Sequence, residues 1–326
     1  MWMRNIKICT FAAANCCLLF SNFYLYFNEL KKHVMRISDI LRKKKTFSLE
    51  VFPPNPQNST IQDLYKTIDE LQQLRPDFVS VTFKSTGDYS QDTIDIASYI
   101  KKNTEAEPLV HLTCGALDKA EVDRLADILE KEKLENVLAL RGDRPANFTG
   151  DYLKYFKHAS ELMEHLRQEH NFCLGGACYP EGHIECESLY DDLINLKIKQ
   201  EKGASFFITQ VFYDNNYYYR LVRAAKKMGI TVPIIPGIMP LTNATLFNKI
   251  MNMAGASIPF ELRILFDRFR DDKKAMREIG IAYSINQILE LLANDADGIH
   301  IYTMNHSEVA KEIYSRINNV IDKELR

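Results

Sequence analysis

The stretch FSLEVFPP, residues 47–54, is an apolar, strand-like run that ends at two prolines and carries one carboxylate, Glu50. Burying an ionised carboxylate without a partner is costly, so Glu50 either faces solvent at a sheet edge or lines a functional site. The prolines bear on the fold, because a doubly wound nucleotide-binding sheet needs a glycine-rich GxGxxG turn after its first strand. Pro53 and Pro54 occupy that place, which favours a barrel over the doubly wound fold.

From residue 35 onward, short β-branched or aromatic runs alternate with stretches whose apolar residues recur at i, i+3 and i+4. We expect eight strands, at 47–52, 78–83, 108–114, 136–142, 173–180, 205–211, 232–239 and 298–304. Helices are expected at 61–74, 91–103, 118–131, 152–170, 187–202, 215–228, 243–253, 259–294 and 307–325. This alternation predicts parallel βαβ units, and hence one (β/α)8 TIM barrel over residues 35–326.

The first 34 residues do not follow this pattern. Residues 8–27, ICTFAAANCCLLFSNFYLYF, contain no charged side chain and are flanked by basic residues. Such a segment resembles a signal peptide or a membrane anchor, although it contains polar side chains and lacks a clear cleavage site. Three interpretations of residues 1–34 stay open: an N-terminal extension or wrongly assigned start, a membrane anchor, and a packed or disordered appendage.

The composition restricts the partners and the location. The formal net charge of −2 gives no basic excess, so nucleic acid is not an expected partner. The seven cysteines show neither CxxC pairs nor zinc spacing, which indicates reduced core residues and a cytoplasmic protein. Membrane anchoring through residues 8–27 stays open beside that prediction.

In a TIM barrel the chemistry lies at the carboxyl ends of the strands. The polar residues expected there are Glu50, Thr82, His111, Thr113, Arg141, Gly142, Asp143, Tyr179, Glu181, His183, Gln210, Tyr302 and Asn305. Their spacing matches neither a metal site nor a nucleophile elbow, so we expect no metal and no acyl transfer. Carboxylates, an arginine and many aromatic side chains suit a planar heterocyclic ligand. Each residue also has a structural interpretation; His111, for example, is compatible with a core histidine.

Nine motifs, in order between residues 45 and 310, then resemble the bacterial methylenetetrahydrofolate reductases. They are SLEVFPP (48–54), SVTF (80–83), HLTC (111–114), ALRGD (139–143), YPEGH (179–183), LINLKIK (193–199), ITQVFYD (208–214), IIPGIMP (234–240) and IYTMN (301–305). The resemblance implies the short bacterial type, an FAD-containing (β/α)8 barrel. It also implies ping-pong reduction of 5,10-methylenetetrahydrofolate to 5-methyltetrahydrofolate with hydride from NADH or NADPH, which feeds one-carbon and methionine metabolism.

The resemblance assigns roles to individual residues. It implies that Glu50 is the general acid and that Asp143 stabilises the developing cation. It implies substrate contacts by Gln210, Thr82, Asp143 and His306. The FAD contacts that it implies are Thr82, Phe83, Ser85, His111, Arg141, Gly142, Asp143, Tyr179, His183, Asp192, Asn195 and Lys199. We expect a mostly apolar pocket to raise the pKa of Glu50, so that the carboxyl is protonated near neutral pH.

The sequence departs from the family pattern at four positions. Ile198 stands where relatives carry arginine, Phe83 replaces a frequent tyrosine, Ile250 replaces a phenylalanine of some members, and His306 replaces an arginine that contacts folate. The choice between NADH and NADPH, a homo-oligomer and an electron-donor protein all stay open. So do two other functions: a flavin-dependent amine or proline oxidoreductase, and a non-catalytic folate- or flavin-binding protein.

Overall fold

A computed structural model of the chain describes residues 35–83, 89–144, 148–253 and 256–325. The predictions for residues 1–34 and for Ser85 lie outside these ranges. The described residues form a nearly closed barrel of nine parallel strands with helices packed around it, so the predicted α/β TIM-like barrel is confirmed. No helix in the described ranges has the length and hydropathy needed to cross a membrane.

The nine strands form one sheet in the order β7-β6-β5-β4-β3-β2-β1-β9-β8. They are β1 Thr46–Val51, β2 Phe78–Val81, β3 Glu107–Thr113, β4 Asn136–Leu140, β5 Cys173–Cys178, β6 Ala204–Thr209, β7 Ile234–Ile235, β8 Gly237–Ile238 and β9 Gly298–Tyr302. Nearly every strand residue is buried, as expected where helices cover the outside of a parallel barrel.

Closure of the barrel depends on the segment predicted as one strand at 232–239. In the structure it forms two short strands, because Pro236 between them has no backbone N–H to donate to the ladder. The first half pairs with β6 through Ile234, and the second half pairs with β9 through Gly237. One interrupted strand therefore joins the two ends of the sheet, and this interruption explains why nine strands are found where eight were predicted.

The helices surround the barrel in chain order. They are α1 Ile37–Leu41, α2 Ile61–Leu71, α3 Tyr89–Asn103, α4 Lys119–Lys131, α5 Ala159–Glu169, α6 Leu189–Glu201, α7 Asn215–Lys227, α8 Ala244–Met253, α9 Phe260–Phe269, α10 Lys273–Ala293 and α11 Ser307–Leu325. Capping boxes start α2 and α4. The predicted helix at 259–294 is two helices, because Asp272 caps the backbone N–H groups of Lys274 and Ala275 and so starts α10.

The short helix α1 was not predicted, and it packs at the end of the barrel where the strands begin. Ile37 is fully buried against the apolar residues of the barrel interior, including Phe78, Leu109 and Phe206. Its backbone N–H donates a 2.8 Å hydrogen bond to the side-chain oxygen of Asn136, the first residue of β4. This end of the barrel is thus filled with apolar side chains, and chemistry is left to the opposite end.

We predict that Gly280→Ala destabilises the protein, although alanine is the better helix former by about 1 kcal/mol. A Cβ at this position of α10 would lie 1.8 Å from the carbonyl oxygen of Leu241, so one of the two backbones must move. The expected loss in the free energy of unfolding is about 1–3 kcal/mol, measured by urea denaturation. Ala282→Gly, at an exposed position of the same helix, serves as the propensity control. A Gly280→Ala protein more stable than the wild type would contradict the predicted clash.

Candidate active site

Glu50 lies on β1 between β2 and β9, directly across from Ser80 and Tyr302. Alternation along β1 explains its direction: Phe47, Leu49 and Val51 pack with the core between barrel and helices, so Ser48 and Glu50 point into the barrel. Only 5% of Glu50 is exposed. The carboxylate is therefore inside the barrel, and not at a solvated sheet edge.

Three side chains meet one oxygen of this carboxylate. The Ser80 hydroxyl donates a 3.1 Å hydrogen bond to Glu50 Oε2. His111 Nε2 lies 3.4 Å from the same oxygen, and His300 Nε2 lies 3.8 Å from it. One hydroxyl is thus hydrogen-bonded to the buried carboxylate, and two imidazole rings lie beside it. We call Glu50, Ser80, His111 and His300 the carboxylate cluster.

His300 is a member of the cluster that sequence reasoning missed. It is fully buried in the middle of β9, and its Nδ1 lies 2.8 Å from the Ser48 hydroxyl. The polar residues predicted from the sequence, Tyr302 among them, lie at the strand ends. Side chains alternate between the two faces of a strand, so His300 lies on the same face of β9 as Tyr302. This alternation could have identified His300 from the sequence.

The predicted rise in the pKa of Glu50 is wrong, because the pocket floor is polar. Burial opposes ionisation, but the proximity of His300, the charge of His111 and the hydrogen bond from Ser80 outweigh it and lower the pKa of Glu50 below its ordinary value. Burial, as the largest effect, lowers the pKa of His111, and the charge of Glu50 opposes that shift. The contacts of Glu50 thus favour its ionised form.

A second group of predicted residues lies at the end of β5 and on α6. The rings of Tyr179 and His183 meet edge to face, with centroids 4.6 Å apart. The His183 backbone N–H donates a 3.1 Å hydrogen bond to Asp192 Oδ2. Lys199 Nζ donates a 2.9 Å hydrogen bond to the Ala177 carbonyl, and burial lowers the pKa of this lysine. The group therefore contains a partly desolvated ammonium, which an anion would stabilise.

Arg141 faces this group from the end of β4 and is held by an unpredicted partner. Its two terminal nitrogens lie 2.5 and 2.8 Å from the two carboxylate oxygens of Glu185. This contact, as the largest effect, raises the pKa of Arg141. Glu185 belongs to the loop between β5 and α6, and no local sequence pattern distinguishes it from the loop's other acidic residues. An anionic ligand on Arg141 would have to compete with this carboxylate.

The other predicted residues follow β2, β4 and β6 at the carboxyl end of the barrel, which we call the rim. Gly142 has a φ of +83°, which favours glycine, and Asp143 is exposed beside it. The side-chain oxygen of Gln210, at the end of β6, accepts a 2.9 Å hydrogen bond from the next backbone N–H. Thr82 and Phe83 follow β2, and Phe83 packs partly against the core.

Asn195 and His306 each contact a residue outside the predicted set. Asn195 is exposed on α6, with its side-chain nitrogen 3.6 Å from Cys186 Sγ. His306 is exposed, with Nδ1 3.3 Å from Glu308, and it lines a separate cavity of about 210 Å³. Among the departures, Ile250 is buried in an apolar cluster with Val211 and Tyr213.

Comparison with known proteins identifies the family. Residues 36–318 match the family described as methylenetetrahydrofolate reductase. The chain is 34% identical over 266 residues to 5,10-methylenetetrahydrofolate reductase of Escherichia coli (strain K12), covering 82% of this chain and 88% of that protein. The chain belongs to the methylenetetrahydrofolate reductase family. The resemblance predicted from the nine motifs, to the short bacterial type, is confirmed.

Other relatives of this methylenetetrahydrofolate reductase family member are longer. Methylenetetrahydrofolate reductase 1 of Schizosaccharomyces pombe is 33% identical over 302 residues, which cover 89% of this chain but 49% of that protein. The chain thus spans about half the length of such relatives. An uncharacterised protein from Clostridium thermocellum, which binds two copies of 5-methyl-5,6,7,8-tetrahydrofolic acid, superposes with a TM-score of 0.61 at 17% identity. The superposition covers 88% of this chain and 100% of that protein. At 17% identity, this similarity supports the fold alone.

The rim of this family member thus combines two kinds of chemistry. The carboxylate cluster brings a carboxylate, two imidazoles and a hydroxyl together in the barrel interior. Arg141 and Lys199 provide cations toward β4, β5 and α6. The first region is suited to holding and moving a proton, and the second to binding an anionic group.

We predict that Glu50 stays ionised at about pH 5, where a raised pKa would leave it protonated. Because its folded pKa lies below the unfolded value, Glu50 contributes stability above the unfolded pKa and loses it as pH falls through the folded pKa. His300→Gln should raise the pKa of Glu50 and move that loss to higher pH. Infrared spectra of 13C-glutamate protein, subtracted from those of Glu50→Gln, measure the titration. A protonated carboxyl signal at about pH 5 in the wild type would contradict the lowered pKa.

Proposed function

We propose that the chain reduces 5,10-methylenetetrahydrofolate to 5-methyltetrahydrofolate with FAD as cofactor and NADH or NADPH as hydride donor. The two substrates would use the same rim in turn, in a ping-pong scheme, and the product would feed one-carbon and methionine metabolism. The observation that carries the proposal is the buried Glu50 carboxylate with its two histidines, at the functional end of a barrel of the methylenetetrahydrofolate reductase family.

The residues at the rim fit a bound flavin dinucleotide. The side-chain oxygens of Thr82 and Thr113 are buried and have no hydrogen-bond partner among the described residues. Buried hydroxyls are normally paired, so these two favour a ligand that reaches the ends of β2 and β3. Arg141 and Lys199, toward β4, β5 and α6, are the cations that would hold a diphosphate. The rim thus offers both ring contacts and charge contacts.

The proposed cofactor contacts follow from the chemistry of the side chains. Arg141 can bind phosphate with both terminal nitrogens, and Lys199, whose charge is disfavoured by burial, would be stabilised by the same anion. Tyr179 and His183 provide ring surfaces beside Lys199. The remaining proposed FAD contacts are Phe83, Ser85, His111, Gly142, Asp143, Asp192 and Asn195, of which Ser85 lies outside the described residues. When bound, FAD accepts hydride from the reduced nicotinamide and donates hydride to the folate.

Glu50 is the proposed general acid. Opening of the folate's five-membered ring to an iminium cation leaves a nitrogen that must be protonated, and a positioned carboxyl can supply that proton. Because its contacts lower the pKa of Glu50, the carboxylate must first take up a proton, and ring nitrogens of His111 and His300 lie 3.4 and 3.8 Å from it. The exposed Asp143 carboxylate is proposed to stabilise the cation. Gln210, Thr82 and His306 are proposed to bind the substrates.

The function is tested by purifying the full chain and recording its flavin absorbance. Anaerobic addition of NADH or NADPH should bleach the flavin, and 5,10-methylenetetrahydrofolate should then restore the oxidised spectrum. A protein that is colourless and also fails to bind added FAD would overturn the proposal. Bound flavin that is reduced but not reoxidised by the folate would favour an amine or proline oxidoreductase.

Glu50→Gln should separate the two half-reactions. Reoxidation by the folate should slow by about 10²–10⁴-fold, because a glutamine cannot deliver the proton. Reduction by the nicotinamide should change little, because hydride transfer to the flavin needs no proton from Glu50. Stopped-flow absorbance measures both rates, with Glu105→Gln, exposed at the opposite end of the barrel, as the control. Equal losses in the two half-reactions would reject the acid role.

Glu185→Gln should tighten FAD binding. The variant removes the carboxylate that holds both terminal nitrogens of Arg141, so the diphosphate no longer competes with it. The Glu185 side chain is 59% exposed, and exposed ion pairs contribute about 0.2–1 kcal/mol, so the expected decrease in the dissociation constant is about two- to fivefold at most. Quenching of FAD fluorescence measures it. Glu187→Gln, an exposed neighbour in the same loop, is the charge-matched control, and an equal gain there would refute a specific effect of Glu185.

A cytoplasmic location, a homo-oligomer and an electron-donor protein remain predictions from the sequence. The proposed function requires none of them, because the carboxylate cluster and the cations of Arg141 and Lys199 all come from one chain.

A further inference from the structure

Three carboxylates and two histidines lie together where α4 packs beside the end of α5. Asp123, Asp127 and Glu130 recur at i, i+4 and i+7, so they share one face of α4. His165 lies on α5, and His170 directly follows that helix. We call these five residues the His170 cluster. None of them is among the strand-end residues for which no metal was expected, and the proposed reductase function uses none of them.

The His170 ring faces carboxylates with both of its nitrogens. Its side chain is 7% exposed, with Nδ1 3.1 Å from Glu130 Oε1 and Nε2 3.7 Å from Asp123 Oδ1. The Nε2 atom is buried and has no hydrogen-bond partner among the described residues. These two distances fix the direction of the ring, which points at the face of α4 that carries the carboxylates.

A neutral imidazole cannot satisfy both of these contacts. It carries one N–H and one lone pair, whereas an ionised carboxylate only accepts hydrogen bonds. If the N–H points at Glu130, the Nε2 lone pair faces an oxygen of Asp123. If the N–H points at Asp123, the Nδ1 lone pair faces an oxygen of Glu130. The repulsion is removed either by a second proton on the ring or by a metal ion bound to one nitrogen.

The charges around the ring favour a bound cation. Asp123 Oδ1 already lies 2.6 Å from His165 Nε2, which is its shorter histidine contact. Among the described residues, the ion-pair contacts of Asp123 and Glu130 are with the two histidines, and no lysine or arginine takes part. Even if both rings were protonated, three negative charges would exceed two positive ones. A divalent cation would reverse that imbalance.

The spacing and chemistry of the donor atoms suit a transition-metal ion. One ligand atom each of Asp127, Glu130 and His170 lie within 4.8 Å of one another. Donors bound to one zinc ion at about 2.0–2.2 Å lie roughly 3–4 Å apart, so rotation of the two exposed carboxylates brings them into range. Imidazole nitrogen together with carboxylate oxygen suits zinc, whereas magnesium and calcium prefer oxygen ligands alone.

We propose that the His170 cluster binds a divalent transition-metal ion of the zinc type. His170 Nδ1, Asp127 and Glu130 are the ligands, and water completes the coordination from the exposed side. A metal on Nδ1 places the ring proton on Nε2, where Asp123 accepts it, and His165 holds Asp123 in position. Both contacts of the ring are then attractive. The ion would link α4 to the end of α5, and the proposal does not depend on the proposed reductase activity.

The test is isothermal titration of the full, EDTA-treated chain with zinc chloride near neutral pH. We expect saturable binding of one ion, and His170→Gln, which loses a ligand, should weaken it by more than about 100-fold. His158→Gln, which removes an exposed imidazole at the start of α5, is the control and should leave the affinity unchanged. Zinc should also raise the melting temperature of the wild type but not of His170→Gln, and the melting curves report whether each variant is folded.

Two carboxylate variants separate the ligands from the general acidic field. Asp127→Asn changes an exposed ligand without disturbing the buried ring and should weaken zinc binding about tenfold or more. Asp123→Asn removes the acceptor of the Nε2 proton and should also weaken binding about tenfold. Glu169→Gln, which removes an equal charge from an exposed position beside His170, should leave the affinity unchanged.

Four outcomes would overturn the proposal. Absence of saturable heat would show that the ring takes a second proton and that the cluster binds no metal. Undiminished binding by His170→Gln would place the zinc elsewhere, for example on a cysteine. Equal weakening by Glu169→Gln and Asp123→Asn would show attraction to the acidic surface in general. Magnesium binding as tight as that of zinc would show a carboxylate site that does not use the imidazole.

Discussion

The contact on which the site depends is that of Glu50 with Ser80, His111 and His300 inside the barrel. A carboxylate placed there without partners would be protonated or expelled, because its desolvation in an apolar interior is large. The strands on both sides of β1 supply Ser80, from β2, and His300, from β9. The next strand, β3, supplies His111. An apolar cluster that contains Ile37, Phe78 and Ile235 fills the opposite end of the barrel. The carboxylate therefore lies at the end of the barrel where the polar partners are.

The carboxylate cluster forms only if the barrel closes with β9 beside β1. β9 lies beside β1 in register, so that Ser48 faces His300 and Glu50 faces Tyr302. The other edge of β9 pairs with β8, and the His300 backbone N–H donates a 3.0 Å hydrogen bond to the Pro236 carbonyl. Splitting one strand at a proline therefore provides two short ladders where one continuous strand would have had to bend. The same proline helps to hold the histidine that contacts Glu50.

Most of the fold was predictable, because strands and helices alternate with clear apolar periods and each strand end carries a polar residue. Glu50 and Arg141 were predictable for the same reason. His300 was missed because it lies in mid-strand, and Glu185 because loop geometry decides which of several acids reaches Arg141. The direction of the Glu50 pKa could not be predicted either. The direction of this shift depends on whether His111 and His300 approach the same oxygen of Glu50. That approach is set by the closed barrel, and no single strand determines it.

Tyr302 links the strands on the two sides of the closing segment. Its hydroxyl donates a 2.6 Å hydrogen bond to the Thr209 carbonyl at the end of β6, across the closing strand. Burial first, and then the charge of Glu50, raise the pKa of Tyr302 well above the ordinary value, so the phenol stays neutral and remains a hydrogen-bond donor. Because Tyr302 pairs with Glu50 in the ladder between β9 and β1, this bond holds in place the strand end that stands directly beside the carboxylate.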